Sequence, residues 1–145
     1  MSLTVEDRLE IHELYARYAY AFDSNDGASW ADVFTADGRF LRPGEPDIVG
    51  SDALEAFVGE RNAMAPGVSH HTTSITLEDA GDGARGRAYV LVLRVHEGAL
   101  RLRNMGRYAD ELVAVDGRWR FRQREYTPWI SPEMADARVS LELSA

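Results

Sequence analysis

Val90-Leu91-Val92-Leu93-Arg94-Val95-His96-Glu97-Gly98-Ala99-Leu100-Arg101-Leu102 reads as two strands joined by a tight turn. Apolar residues flank the Glu97-Gly98 break on both sides, which is a hairpin signal. Asp116-Gly117 divides residues 100–115 from 118–129 in the same way. Upstream, Asp79-Ala80-Gly81-Asp82-Gly83 separates residues 70–78 from 85–96. Four long runs with short breaks imply consecutive antiparallel strands, so the C-terminal half is a sheet.

The N-terminal half has the other period. Thr4-Val5-Glu6-Asp7 reads as an N-cap with acidic residues in the first turn. Ile11, Tyr15, Tyr18 and Phe22 then recur on one helical face. Asp23-Ser24-Asn25-Asp26-Gly27 stops that helix. A short helix through Trp30, Val33 and Phe34 follows, and Asp37-Gly38 turns into a short strand over residues 39–42. After the Pro43-Gly44-Glu45-Pro46 loop, Ser51 caps a third helix whose inward face is Leu54, Phe57 and Val58. Helices first and hairpin-linked strands afterwards make an α+β domain with helices on one face of the sheet. The domain covers residues 1–131. The tail, 132–145, lacks a strong pattern and reads as a flap or a disordered end.

Composition narrows the chemistry. The 145 residues carry a net charge of −8, no cysteine and no lysine, so all 16 basic residues are arginines. Disulfides, thiol nucleophiles, cysteine-ligated metals and Schiff bases are excluded. The acidic balance argues against nucleic acid. No stretch resembles a signal peptide or a membrane span, which implies a cytoplasmic protein. Polar catalysis falls to Asp, Glu, His, Tyr, Ser, Thr or Arg.

Several motifs carry two readings. Gly81-Asp82-Gly83-Ala84-Arg85-Gly86 matches a dinucleotide fingerprint by letter, but it lies between strands and reads as a hairpin loop. Arg118, Arg120, Arg122 and Arg124 alternate with Trp119, Phe121 and Gln123, which places four arginines on an outer face, solvated or in an oligomer contact. His70-His71 opens the first long strand, where neighbours point to opposite faces and cannot share a metal. His71 shares parity with Thr73, Ile75 and Leu77, so alternation favours His71 as the inward ring, either as a hydrogen-bonded core residue or as a base. Asp23 ends the first helix at the edge of its apolar stripe, as a polar turn residue or as the carboxylate that orients an imidazole. Tyr15 and Tyr18 share the stripe and are core residues or donors to a developing oxyanion.

The segments Tyr18-Ala19-Tyr20-Ala21-Phe22-Asp23, Phe34-Thr35-Ala36-Asp37-Gly38, His70-His71-Thr72-Thr73-Ser74 and Gly106-Arg107-Tyr108-Ala109-Asp110, with Asp26, Trp30 and Asp116-Gly117-Arg118-Trp119, together resemble the SnoaL-like family. This group of the nuclear-transport-factor-2-like superfamily includes polyketide cyclases, scytalone dehydratase, bile acid dehydratases and a dehydrochlorinase. The resemblance runs from Leu3 to Trp129. It implies a cone, in which a curved, mixed but mostly antiparallel sheet wraps a long N-terminal helix, with two further short helices. It also implies an apolar pocket bounded by Phe22, Trp30, Phe34, Phe57, Tyr89, Tyr108 and Trp119.

In the dehydratases and the dehydrochlorinase an Asp ending the first helix pairs with a strand His. Asp23 matches that Asp. The His falls on His70 by the dehydrochlorinase spacing and on His71 by the bile acid dehydratase spacing. Tyr18 matches a helix Tyr of the bile acid type, whose later Asp and Arg fall on Val92 and Pro128, so that subgroup's contacts are absent. The implied activity is cofactor-free and metal-free dehydration, cyclisation or isomerisation of a small apolar cyclic or polyketide-like compound. The implied assembly is a homodimer or higher homo-oligomer through the sheet. The fold equally serves a non-catalytic ligand-binding or dimerisation module, or the accessory subunit of an oxygenase.

Overall fold

The computed structural model describes residues 2–129 and 140–142. Helix α1 (Val5–Asp23) opens with a capping box. The Thr4 hydroxyl accepts from the Asp7 backbone N–H at 3.1 Å, and the Asp7 carboxylate accepts from the Thr4 N–H at 2.9 Å. The same carboxylate accepts the Trp119 indole N–H at 2.9 Å, which holds its pKa below the ordinary value and ties the helix start to the sheet. Ile11, Leu14, Tyr15, Tyr18 and Phe22 form the buried stripe.

Helix α2 (Gly27–Asp32) is capped by Asp26, whose carboxylate accepts from the Ser29 N–H. Strand β1 (Phe34–Leu41) begins earlier than its sequence suggests, because Phe34 pairs with Phe121 in the core instead of extending α2. Strand β2 (Ile48–Val49) is short, and Gly50, at φ 87°, occupies the N-cap of α3 (Ser51–Met64) where Ser51 is expected. The long strands β3 (Val68–Asp79), β4 (Ala84–His96), β5 (Ala99–Val115) and β6 (Arg118–Pro128) fall within two residues of the runs read from sequence. A last strand, β7 (Ser140–Glu142), pairs with β5. The rest of the proposed tail lies outside the described residues.

The sheet order is β2-β1-β6-β5-β4-β3. All pairings are antiparallel except β1 with β6. Its inner face closes over α1 and α3, with Trp30, Phe34 and Phe121 at the centre. This is the α+β, cone-like arrangement expected. Among the described residues, no helix is long and apolar enough to cross a membrane.

Three one-residue bulges reset strand parity along the sheet. On β3 the register shifts between Thr73 and Thr76, with Ser74 at φ 55°. On β5, Val92 and Leu93 pair with Asn104 and Leu102, so Arg103 is the extra residue. On β6, Glu111 and Leu112 pair with Gln123 and Phe121, so Arg122 is the extra residue. Bulges bend the sheet and re-aim the side chains beyond them.

The Gly81–Gly86 match is the β3–β4 hairpin, and its last two glycines have packing reasons. A Cβ on Gly83 would meet the Leu112 carbonyl, and one on Gly86 would meet the Tyr15 hydroxyl.

Candidate active site

The last residue of α1 meets the third of β3. The Asp23 Oδ1 lies 2.6 Å from His70 Nδ1, and Oδ2 accepts the His70 backbone N–H at 2.8 Å. One carboxylate thus holds both the ring and the strand that carries it. Facing a carboxylate, Nδ1 carries the proton, which leaves the Nε2 lone pair free in the neutral ring. The Phe22 ring packs edge-on against the imidazole at 4.8 Å. An imidazolium formed here would sit beside a carboxylate at a helix C-terminus, where positive charge is favoured.

His70, and not His71, is the inward ring. The bulge after Thr73 transfers Ile75 and Leu77 to the parity of His70 and Thr72, so alternation counted back from Ile75 points to the wrong histidine. His71 is exposed and bonds Ser69 Oγ at 3.0 Å.

His70 opens onto a cavity of about 440 Å3. Phe22, Phe40, Phe57, Val68 and Val92 give it apolar walls, and Tyr18, Tyr108 and Tyr126 give it phenols. Arg42, Arg61 and Arg103, with Glu45, are its charged lining. This size and this mixture suit a small organic molecule. Among the described residues, no three His, Asp or Glu side chains converge as metal ligands.

Behind the tyrosines lies a buried ion pair. Arg124 is inaccessible to solvent, and its Nε and Nη2 donate to Asp110 at 2.7 and 2.8 Å. The Tyr15 hydroxyl donates to the same carboxylate. The guanidinium carbon lies 3.8 Å from the Tyr108 ring centroid and 4.3 Å from that of Tyr18. Cation–π contact and the bidentate pair together offset the desolvation of a buried arginine.

Sequence alternation put Arg118, Arg120, Arg122 and Arg124 on one outer face, and Arg124 departs from it. Arg118 and Arg122 are exposed and Arg120 is half-buried, with Asp32 and Asp82 as their ion partners. The bulge at Arg122 then turns Arg124 and Tyr126 inward. Burial raises the pKa values of Tyr18 and Tyr108, whose rings meet edge-on with centroids 5.8 Å apart. Burial also pushes Tyr126 up to about 12, and its buried hydroxyl has no partner among the described residues. All three are therefore neutral donors at ordinary pH.

Of the residues named from sequence, Asp23, His70, Tyr18, Phe22, Phe57 and Tyr108 come together here. Tyr15, Trp30 and Phe34 lie in the core behind the cavity, where Tyr15 serves Asp110. Trp119 packs at the start of α1, and Tyr89 is on the outer face against Trp129. Sequence reasoning missed Phe40, Arg42, Arg61, Arg103 and Tyr126. Arg103 and Tyr126 are aimed by bulges that no spacing announces. The Pro43-Gly44-Glu45-Pro46 loop and the arginine before it were a signal for charged groups near one end of β1.

A family model described as a SnoaL-like domain matches residues 3–125. Among solved structures, the Mycobacterium tuberculosis protein of unknown function Rv3472, as its D26N variant, is 30% identical over 90% of this chain and 76% of its own, with a TM-score of 0.81. An NTF2-like protein with a cystatin-like fold from Novosphingobium aromaticivorans is 28% identical, covering 92% and 88%, with a TM-score of 0.81. A Catenulispora acidiphila protein solved in complex with S-DNPA is 25% identical, covering 86% and 95%, with a TM-score of 0.79. A search of curated proteins finds no match.

Proposed function

Since this chain belongs to the SnoaL-like domain family, we propose that it is an enzyme whose base is the Asp23–His70 pair, acting on a ring-bearing organic molecule in the cavity. The observation that carries this reading is the 2.6 Å contact between Asp23 Oδ1 and His70 Nδ1 at the wall of a partly apolar cavity. The Catenulispora acidiphila relative, solved in complex with S-DNPA, supports the reading of this fold as a ligand-binding one.

The chemistry needs no external reagent. His70 Nε2 takes a proton from a carbon next to a carbonyl. The electron pair moves into the carbonyl, whose oxygen becomes an enolate. Tyr126, whose hydroxyl has no partner among the described residues, and the phenols of Tyr18 and Tyr108 donate to that oxygen. In dehydration the enolate expels a β-hydroxyl, and the imidazolium returns its proton so that water leaves. In isomerisation the proton returns to another carbon, and in cyclisation the enolate carbon attacks a second carbonyl, whose oxygen takes the proton back from the imidazolium. Asp23 keeps the ring in one tautomer and stabilises the imidazolium.

Cyclic β-hydroxyketones and fused-ring ketones, screened in D2O by mass spectrometry, test the reading. The protein is expected to release water from a β-hydroxyketone or to load deuterium beside a carbonyl. Asp23→Asn is expected to lower that rate about 10²-fold or more. An Asp23→Asn protein that turns over as fast as the parent, or retained ligand affinity with no turnover in any arm, sinks the enzyme reading and leaves a binding module.

A further inference from the structure

The cavity is positively charged in a protein that is strongly negative. Three of its lining residues are arginines and one is a glutamate, whereas the whole chain has 24 acidic residues against 16 basic ones. Each arginine comes from a different element. Arg42 follows the last residue of β1, Arg61 is in the last turn of α3, and Arg103 is the extra residue of the β5 bulge. From these positions we infer that the molecule this site takes carries a carboxylate, which the Arg42–Arg61 pair binds while the ring system lies against Phe22, Phe40 and Phe57. This deepens, and rests on, the reading of the cavity as the substrate site.

Three observations support the assignment. First, the cluster already holds a carboxylate. Oε2 of Glu45 accepts from Arg42 Nη1 and, at 3.2 Å, from Arg61 Nη2. Two guanidinium groups therefore converge on one carboxylate oxygen, and Glu45 itself, half exposed on the β1–β2 loop, is free to yield the place to an incoming acid. Second, Arg42 is preorganised. Its guanidinium carbon lies 4.7 Å from the Phe57 centroid and 5.8 Å from that of Phe40, and its buried Nε has no partner among the described residues. Desolvation weighs against this cation, lowering its pKa, so a second anion would relieve a real imbalance. Third, Arg103 lines the cavity and has no ion pair among the described residues. Guanidinium forks suit planar carboxylates, and burial against rings strengthens the contact.

The acid group separates this substrate class from the plainly apolar one that the sequence suggested.

Calorimetry with paired probes tests the inference. A panel of ring acids, such as 2-naphthylacetic and 2-naphthoic acid, is titrated beside the matching neutral amides and inorganic phosphate. At least one acid is expected to bind tenfold or more tighter than its amide. Arg61→Gln is expected to cut that preference threefold or more, with a thermal melt like the parent's reporting an intact fold. Glu45→Gln is expected to tighten acid binding severalfold by removing the competing carboxylate. A panel in which no acid outbinds its amide overturns the inference, as does a preference unchanged in a folded Arg61→Gln protein. Phosphate binding as tight as the best acid overturns the assignment to carboxylates. Acid preference is read by binding and not turnover, so it is also measured in His70→Gln. Loss of turnover there with the preference kept separates this site from the base. Absence of the preference beside His70-dependent turnover removes only this inference.

Discussion

Arg124 shows how much a single side chain can hold together. It is buried, bidentate to Asp110 and surrounded by Tyr15, Tyr18, Tyr108 and Phe121. Removing one partner of such a pair leaves an uncompensated charge in the core, at a cost of about 3–5 kcal/mol. Tyr15→Phe removes only one donor from a carboxylate that Arg124 still holds, and about 1–3 kcal/mol is expected. Urea unfolding of Arg124→Met and Tyr15→Phe should therefore rank them in that order. A reversed order would show that the phenol, and not the guanidinium, carries the carboxylate. The tyrosines also set the alkaline behaviour. Raised pKa values keep the donor forms of Tyr18 and Tyr108 protonated above the ordinary tyrosine value of 10.0. The pH–rate profile is expected to show no descending limb from these phenols at that pH, and loss of activity centred there would contradict their role as buried donors.

Among the elements, bulges decide what the strands present. Ser74 adopts φ 55°, a left-handed conformation that disfavours β-branched residues. Ser74→Val is expected to lower stability by about 1 kcal/mol or more, and Ser74→Gly to be tolerated. If thermal melts show Val and Gly alike, the bulge does not depend on this residue. The bulges are also why the site was only partly legible. Helix caps, turn residues and strand runs are local signals, so α1, α3 and β3 to β6 could be read from the sequence. Parity beyond a bulge depends on a neighbouring strand, so Arg124, Tyr126 and the inward histidine could not. Asp23 was legible because it ends a helix on the edge of a regular stripe. Phe34 shows the opposite limit: its parallel pairing with Phe121, distant in sequence, overrides a local helix pattern.

Over the whole molecule, a sheet bent around α1 leaves a cavity that the aromatic core does not fill. Trp30, Phe34 and Phe121 pack in the core behind it, while Arg42, Arg61 and Arg103 supply its charged rim. The order of elements was enough to give the α+β class, because helices before hairpins leave few ways to cover one sheet face. The charge of the rim was not legible, since Arg42, Arg61 and Arg103 are far apart in sequence and converge only through the fold. The account stands on which imidazole faces that cavity. Its most direct test is the turnover of His70→Gln beside His71→Gln on a substrate found by the ketone screen. His71→Gln should keep the parent rate within about twofold, and His70→Gln should lose about 10²–10⁴-fold in kcat. Loss of activity in His71→Gln with His70→Gln unimpaired would contradict it.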